Sequence, residues 1–358
     1  MAFPRLSDVL GQERAITRLR SALSSGRVHH AWIFHGPSGV GKRLAADGFA
    51  AALLDPTTAR PEGGDVGPDP AGETQRLLAA GMHPDLHIVS KELAAYSRDE
   101  TVRRSKQRVL PVEVIREFLL EPAALASGVA RASIARKVFI VEEAHLMAAS
   151  AANAALKTLE EPPEGVVVIL LTESESDLLP TIRSRCQRVP FGTLSDDAMA
   201  RWLERSDAGA GAPRDEREWL LAFAGGSPGR FLSAASGGLY RWRQAIAPML
   251  AEAERGRFSA ELGGACAKLI DEWAKAEVDG KENASKDAAN KAGADRMFTL
   301  LSAWARGRIR EAAARGDAEG ASRAAAAAES IALAESQVDA NANLGVALDH
   351  LAMTLARR

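Results

Sequence analysis

His35-Gly36-Pro37-Ser38-Gly39-Val40-Gly41-Lys42-Arg43 is the stretch that decides how this chain is read. It follows a short apolar run, 31–34, and precedes an alanine-rich segment, 44–54, whose composition predicts a helix. Strand, glycine-rich turn and helix are the setting of a phosphate-binding loop, and the spacing G-x-x-x-x-G-K is met from Gly36 to Lys42. The glycines let backbone N–H groups turn inward around a phosphate, and the lysine reaches the outer phosphates. The next position departs from the pattern. A hydroxyl residue should follow the lysine to hold Mg²⁺, and Arg43 stands there instead. The loop is expected to form, with its metal seat short of one ligand.

Further along, Lys137-Val138-Phe139-Ile140-Val141 reads as a strand buried on both faces of a parallel sheet, closed by Glu142 and Glu143. P-loop enzymes place their metal-coordinating and water-polarising acids at such a strand end. The metal-facing acid is normally Asp, and Glu142 is one methylene longer. A second buried-type strand, 166–171, ends at Thr172, whose hydroxyl is a candidate contact for a γ-phosphate. Shorter strand candidates lie at 85–89 and 189–191, and helices are expected at 74–80, 112–120 and 144–159. Strands alternating with helices after a phosphate loop predict a doubly wound α/β domain. Arg183 and Arg185 bracket Ser184. Such arginines are most often surface salt-bridge formers, but one that points across a subunit boundary can complete a neighbour's nucleotide site.

Composition shifts near Gly192. No strand-like run follows; short helices are expected at 195–206, 213–224 and 229–236, then a helical, alanine-rich region that ends in an amphipathic helix, 344–355. The segment 274–296 is polar and reads as a solvated helix or a connection. A length of 358 residues suits two or three domains, and a net charge of −2 gives no global argument for autonomous nucleic-acid binding. Two distant cysteines, Cys186 and Cys266, exclude a disulfide framework and a four-cysteine metal site. With no apolar signal core and no membrane-length apolar stretch, the expected location is the cytoplasm.

Several strings together resemble the AAA+ clamp-loader family over 3–192. They are Gly11-Gln12, His30-Ala31, Phe34-His35-Gly36-Pro37, His83-Pro84-Asp85, Glu143-Ala144-His145-Leu146-Met147, the run from Asn153 through Leu156-Lys157-Thr158-Leu159-Glu160-Glu161-Pro162-Pro163, and Ser184-Arg185-Cys186. A weaker likeness continues through Gly226-Ser227-Pro228-Gly229 and Asn341-Ala342-Asn343-Leu344. The resemblance implies a RecA-like AAA+ P-loop domain at 1–192, a helical lid at 193–240 and a C-terminal helical collar for oligomerisation at 241–358. It implies a hetero-oligomeric pentamer with gamma or tau and delta subunits, acting on the sliding clamp and, through the complex, on primed DNA, with no membrane partner. In that setting Arg185 would be an arginine finger acting in trans on a neighbour's ATP.

Three departures refine what the resemblance implies. Arg43 favours a subunit that does not hydrolyse ATP and needs no cofactor of its own. Whether ATP or ADP occupies the degenerate loop (Gly36, Pro37, Ser38, Gly39, Val40, Gly41, Lys42 and Arg43, with Glu142, Glu143 and Thr172) stays open. The alternative is an active gamma/tau-like ATPase with Lys42 on the phosphates and Glu143 polarising water. The family often carries a four-cysteine zinc module after the loop helix; 56–81 has no cysteine, so zinc is not expected. Gly229 stands where gamma-type lids carry an arginine, with Arg230 one place on.

Overall fold

The computed structural model describes residues 3–58, 67–105, 109–125, 127, 133–279 and 286–356. Parts of two segments discussed above, 59–66 within 56–81 and 280–285 within 274–296, lie outside the described residues. The apolar runs form five strands: β1 (Ala31–His35), β2 (Leu86–Val89), β3 (Lys137–Val141), β4 (Val166–Thr172) and β5 (Gln187–Pro190). Every pairing is parallel, in the order β2-β3-β4-β1-β5. β3 and β4 are buried along their whole length, which is why their sequences show no polar alternation. His35 pairs with Thr172 and Pro190, and Val141 with Leu170, so the C-terminal ends of β1, β3 and β4 meet at one edge. In open α/β sheets that edge is where ligands bind.

Helices cover the sheet. In α1 (Glu13–Ser25) the residues Ile16, Leu19 and Leu23 recur on one face and are buried, and Gly26 ends the helix in the left-handed conformation. In α2 (Lys42–Leu54) nearly every residue from Ala45 onward is buried, so small side chains let it lie deep against the strands. Phe49 of α2 packs near Phe34 and Trp32 of β1.

Two expected helices are interrupted. The one read over 144–159 is a short 3₁₀ turn, Ala144–Leu146, an extended Met147, and then the helix Ala149–Glu160. The Leu110 N–H donates to the Leu146 carbonyl at 2.8 Å, and the Ala148 N–H to the Leu110 carbonyl at 3.0 Å. That exchange with a distant strand-like residue draws the backbone out of the helix. The helix expected over 112–120 continues to Ala124 through a wide π turn at Arg116–Leu120. Pro122 has no N–H to give the preceding turn, and the wide turn ahead of it absorbs the mismatch.

The chain divides into two compact units, 1–210 with 224–230, and 211–223 with 231–358. The helices of the expected lid, Asp196–Ser206, Arg214–Ala224 and Pro228–Ser236, are shared between them. Among the described residues, the regular elements of the second unit beyond Gly238 are helices, with long ones at Glu261–Val278, Lys286–Arg315 and Ala318–Asp339 and the last at Leu344–Ala356. Ile246, Ile270, Phe298, Leu301, Ile331 and Leu351 are buried within it. Among the described residues no helix is long and apolar enough to cross a membrane.

Candidate nucleotide site

The loop between β1 and α2 is built by glycines that no other residue can replace. Gly36 has φ +140°, and a Cβ there would lie 2.0 Å from the Phe191 carbonyl oxygen. Gly39 has φ +73°, and its Cα would lie 2.6 Å from a Cβ placed on Gly229. The loop carbonyls are all engaged. Lys42 Nζ donates to Gly36 O at 2.6 Å and Pro37 O at 2.7 Å. The Ser227 hydroxyl donates to Ser38 O at 2.8 Å, the Gly229 N–H to Gly39 O at 2.9 Å, and buried Gln12 Nε2 to Val40 O at 3.1 Å. A trans peptide sets its N–H opposite its carbonyl. Tying the 38–40 carbonyls to these partners therefore turns the N–H groups of Gly39, Val40 and Gly41 to the loop's other side.

That loop opens on a cleft of about 530 Å³ walled by Ser38, Gly39, Gly41, Lys42, Arg43, Leu44, Glu92, Glu142, Glu143, His145, Leu171, Thr172 and Glu173. Its volume lies in the usual range for small-molecule sites. Of the residues read from the sequence as one site, Ser38, Gly39, Gly41, Lys42, Arg43, Glu142, Glu143 and Thr172 line this cleft, while Gly36, Pro37 and Val40 belong to the loop without lining it, and Arg185 lies apart. Val40 is buried and faces the core, and Pro37 contributes its carbonyl to Lys42.

The charges are arranged unlike those of a metal site. Arg43 Nε donates to Asp47 Oδ1 at 2.9 Å, and its Nη1 makes an ion pair with Glu142 Oε1. Burial alone would weaken the Arg43 cation, but Asp47 and then Glu142 more than offset it, so its pKa lies above the ordinary arginine value. Burial holds the Asp47 carboxyl above its usual range, against the pull of Arg43. Glu143 sits in the left-handed region (φ 46°), uncommon for a residue with a side chain, and Lys91 Nζ lies 2.8 Å from its Oε2. Both acids at the end of β3 thus carry a cation from the chain itself. Mg²⁺ takes hydroxyl or carboxylate oxygens in near-octahedral order. With no hydroxyl after Lys42 and Glu142 already paired, these residues do not fit it. Burial draws the Lys42 ammonium below its ordinary pKa, with Glu173 opposing. Thr172 is buried, and its hydroxyl donates to the Ser174 carbonyl at 2.9 Å, with His145 Nδ1 at 3.5 Å.

Arg185 is placed elsewhere. Its Nη2 lies 2.6 Å from Glu160 Oε1, and its Nη1 donates to the Thr181 carbonyl at 2.8 Å. Around it stand His29, His30, Leu159, Ser184 and Cys186. His29 and His30 enter β1, whereas the phosphate loop leaves it, so the two arginines belong to opposite ends of a five-residue strand about 16 Å long at about 3.3 Å per residue. Cys186 is buried, and burial pushes its thiol up to about 12, so it is an inert neighbour. Lys91, Asp47, Gln12 and Ser227 are among the residues holding the site together that sequence reasoning did not assign. Only Asp47, four places after Arg43, carried a local signal.

The family model described as "DNA polymerase III, delta subunit" matches residues 11–195. The chain belongs to that family. The family segment contains both arginine sites and the whole sheet. Relatives include a DNA polymerase III subunit delta' of Pseudomonas aeruginosa, 36% identical over 204 residues, 56% of this chain and 53% of that protein. Another is the delta' subunit of Bacillus subtilis, 31% identical over 196 residues, 55% and 52%. A DNA polymerase III subunit gamma/tau of Mycobacterium tuberculosis is 31% identical over 231 residues, 63% of this chain and 36% of that protein. The chain thus spans about half the length of the delta' relatives it matches. A solved structure of a gamma subunit-related protein of Thermotoga maritima aligns over 95% of this chain and 98% of that one, at 18% identity and TM-score 0.42.

Proposed function

We propose that this chain is a delta'-type subunit of the DNA polymerase III clamp loader, which does not hydrolyse ATP itself and lends Arg185 to the ATP of an adjoining gamma or tau subunit. The observation that carries this reading is the separation of the two arginines across the sheet. Arg43 is consumed by two carboxylates in the chain's own cleft. Arg185 stands at the opposite edge, too far to serve that cleft, and is partly exposed. A guanidinium so placed can stabilise charge only on a phosphate brought by another molecule. Its partners are Glu160 and the Thr181 carbonyl, and a phosphate oxygen could replace the Glu160 carboxylate. In the same reading the C-terminal helices at 241–358 form the collar, 193–240 acts as the lid, delta is a further partner, and the assembled ring in the cytoplasm places the sliding clamp on primed DNA.

The test is reconstitution with gamma or tau and delta subunits, with ATP turnover followed on primed DNA plus clamp. Omitting this chain should abolish clamp-stimulated turnover, while the purified chain alone should turn over no ATP. Robust Mg²⁺-dependent hydrolysis by the isolated chain would replace this reading with that of an active gamma/tau-like ATPase, the role that an intact Lys42 and Glu143 would otherwise suit.

A further inference from the structure

The N-terminal edge of the sheet carries positive charge that neither arginine site above uses. In α1 the buried residues Ile16, Leu19 and Leu23 set one face on the core, which turns Arg18 and Ala22, one helical turn apart, away from it. Gly26 ends that helix in the left-handed conformation (φ 65°) and leads Arg27 toward the start of β1. Arg18, Ala22, Arg27, His29, His30 and Gln187 line a trough of about 570 Å³ there. His29, His30 and Gln187 also line the pocket around Arg185, so the two are continuous. Arg18 and Arg27 are both exposed. Arg18 Nη2 donates to the neutral Gln187 Oε1 at 2.7 Å, and among the described residues neither arginine has a carboxylate within ion-pair distance. The rings of His29 and His30 stack with centroids 4.3 Å apart, and His30 Nε2 lies 2.8 Å from the Leu159 carbonyl. Burial holds His29 below the ordinary histidine pKa, with the Ala31 carbonyl opposing and His30 adding to the fall, so its ring adds little charge at neutral pH.

We propose that this trough is a docking site for the carboxylates of an acidic segment on the adjoining subunit. The inference rests on the function proposed above, because the trough continues from Arg185 and needs the same neighbour. The chemistry of the trough selects the partner. A guanidinium presents a planar fork that matches a carboxylate, and one bonded only to an amide gives up no ion pair when the carboxylate arrives. Arg18 exchanges the Gln187 amide for such a group, and Arg27 offers a second fork. Ala22 is too small to fill the space between them and a Glu or Asp side chain. Nucleic acid asks for something else. A duplex is held by a stripe of many phosphate contacts, and a single strand by open aromatic faces. Among the described residues that line the trough there are two arginines, and the indole is closed: Trp32 is 3% exposed, with its N–H donated to the His29 carbonyl at 2.7 Å. Carboxylates docked here hold the neighbour against the edge that carries Arg185.

The experiment is calorimetric titration of the full chain with purified gamma or tau subunit, at about 50 mM and about 500 mM salt. The double variant Arg18→Glu, Arg27→Glu should bind about thirtyfold more weakly than wild type at low salt and within about threefold of it at high salt, where surface charge is screened. Arg18→Gln with Arg27→Gln, which removes the charge without adding repulsion, should bind about tenfold more weakly at low salt. Should the charge reversal disturb folding, seen as a lowered melting temperature, the Gln pair carries the test alone. ATP turnover of the reconstituted complex should fall only as far as assembly falls. Equal low-salt affinities for wild type and both variants overturn the proposal. So does turnover lost from fully assembled complexes, the sign of a nucleotide contact. Binding of a primed-template oligonucleotide by the isolated chain that both variants abolish also overturns it and assigns the trough to nucleic acid. None of these results removes the role of Arg185, which is read from turnover at full assembly. Wild-type chain that binds neither gamma nor tau sinks the proposed function itself.

Discussion

Near the two ends of one β-strand lie two arginines with different partners. At the C-terminal end of β1, Arg43 meets two carboxylates and is fully spent on its own chain. At the N-terminal end, Arg185 has one carboxylate and one carbonyl. The difference is one of charge balance. A cation with two acids has nothing left to offer a phosphate in motion; a cation with one can trade Glu160 for a better anion. On the function proposed above, a P-loop fold gives up catalysis at its own cleft and contributes to it at the far edge of the same sheet.

The sharpest way to break this contrast is Arg185→Ala in the reconstituted complex. With the other gamma or tau sites silenced, hydrolysis at the adjoining site should fall about 10³-fold, or about 4 kcal/mol of barrier, with assembly unchanged by size-exclusion chromatography. Arg185→Lys should recover little of it, since an ammonium lacks the planar fork. An unaltered rate removes the trans role and leaves Arg185 as a surface ion-pair former.

The next largest effect belongs to the other end. Gly36→Ala forces a Cβ to within 2.0 Å of the Phe191 carbonyl at a φ of +140°. It should lower unfolding free energy by about 3 kcal/mol, measured by chemical denaturation. The folded fraction should still assemble and still support the neighbour's hydrolysis, because the Arg185 edge does not share that strain. Loss of trans stimulation per folded molecule would show that the two ends are coupled.

Much of this arrangement was legible in the sequence, and the part that was not has a physical reason. β3 and β4 show as nearly uninterrupted apolar runs because they are buried on both faces, whereas β5, Gln187–Pro190, is partly exposed and carries no such run. The loop shows because its glycines and Lys42 lie within seven positions. The pairing of Arg43 with Glu142 joins residues 99 apart, and Ser227 reaches Ser38 across 189. Such contacts depend on how the strands are ordered, which no local pattern records. The break at Met147 has the same origin: its segment is helix-forming by composition, and the distant Leu110 overrides it. Glu160 lay inside a quoted motif, yet its role as the holder of Arg185 needed the fold to bring the two together.

A smaller effect tests how firmly Arg43 is committed. Arg43→Ala leaves Asp47 and Glu142 facing each other across a partly buried gap. Because the Arg43 side chain is 41% exposed, solvent screens much of the loss, and destabilisation of about 1–2 kcal/mol is expected at neutral pH. It should shrink in acid, as protonating either carboxyl relieves the repulsion. A loss that is the same at pH 7 and pH 4 would mean the pair contributes by packing and not by charge.

The smallest effect concerns neither arginine but the sheet that separates them. His83 and His87 both lie below the ordinary histidine pKa, chiefly through burial; Asp85 and Asp55 oppose the shift at His83, while Lys137 deepens it at His87 before Asp85 opposes it. Their unfolded forms therefore take up protons first as pH falls, near 6.5, while the folded forms resist. Stability is full above that value and declines as pH drops through the lowered folded values. Asp47, held above its usual range, has the opposite sign, since its contribution is present in acid and lost as pH rises through its raised pKa. The two can be separated at His87, whose ring stacks on Phe139 with centroids 4.6 Å apart and whose buried Nε2 has no hydrogen-bond partner among the described residues. His87→Phe keeps the stacking and removes the titration. The fall in unfolding free energy between pH 7 and 5.5 should then be shallower than in the wild type by about 0.5 kcal/mol, read from denaturant curves at each pH. An unchanged slope would place the acid sensitivity elsewhere, and a steeper one would mean that His87 is charged in the folded sheet.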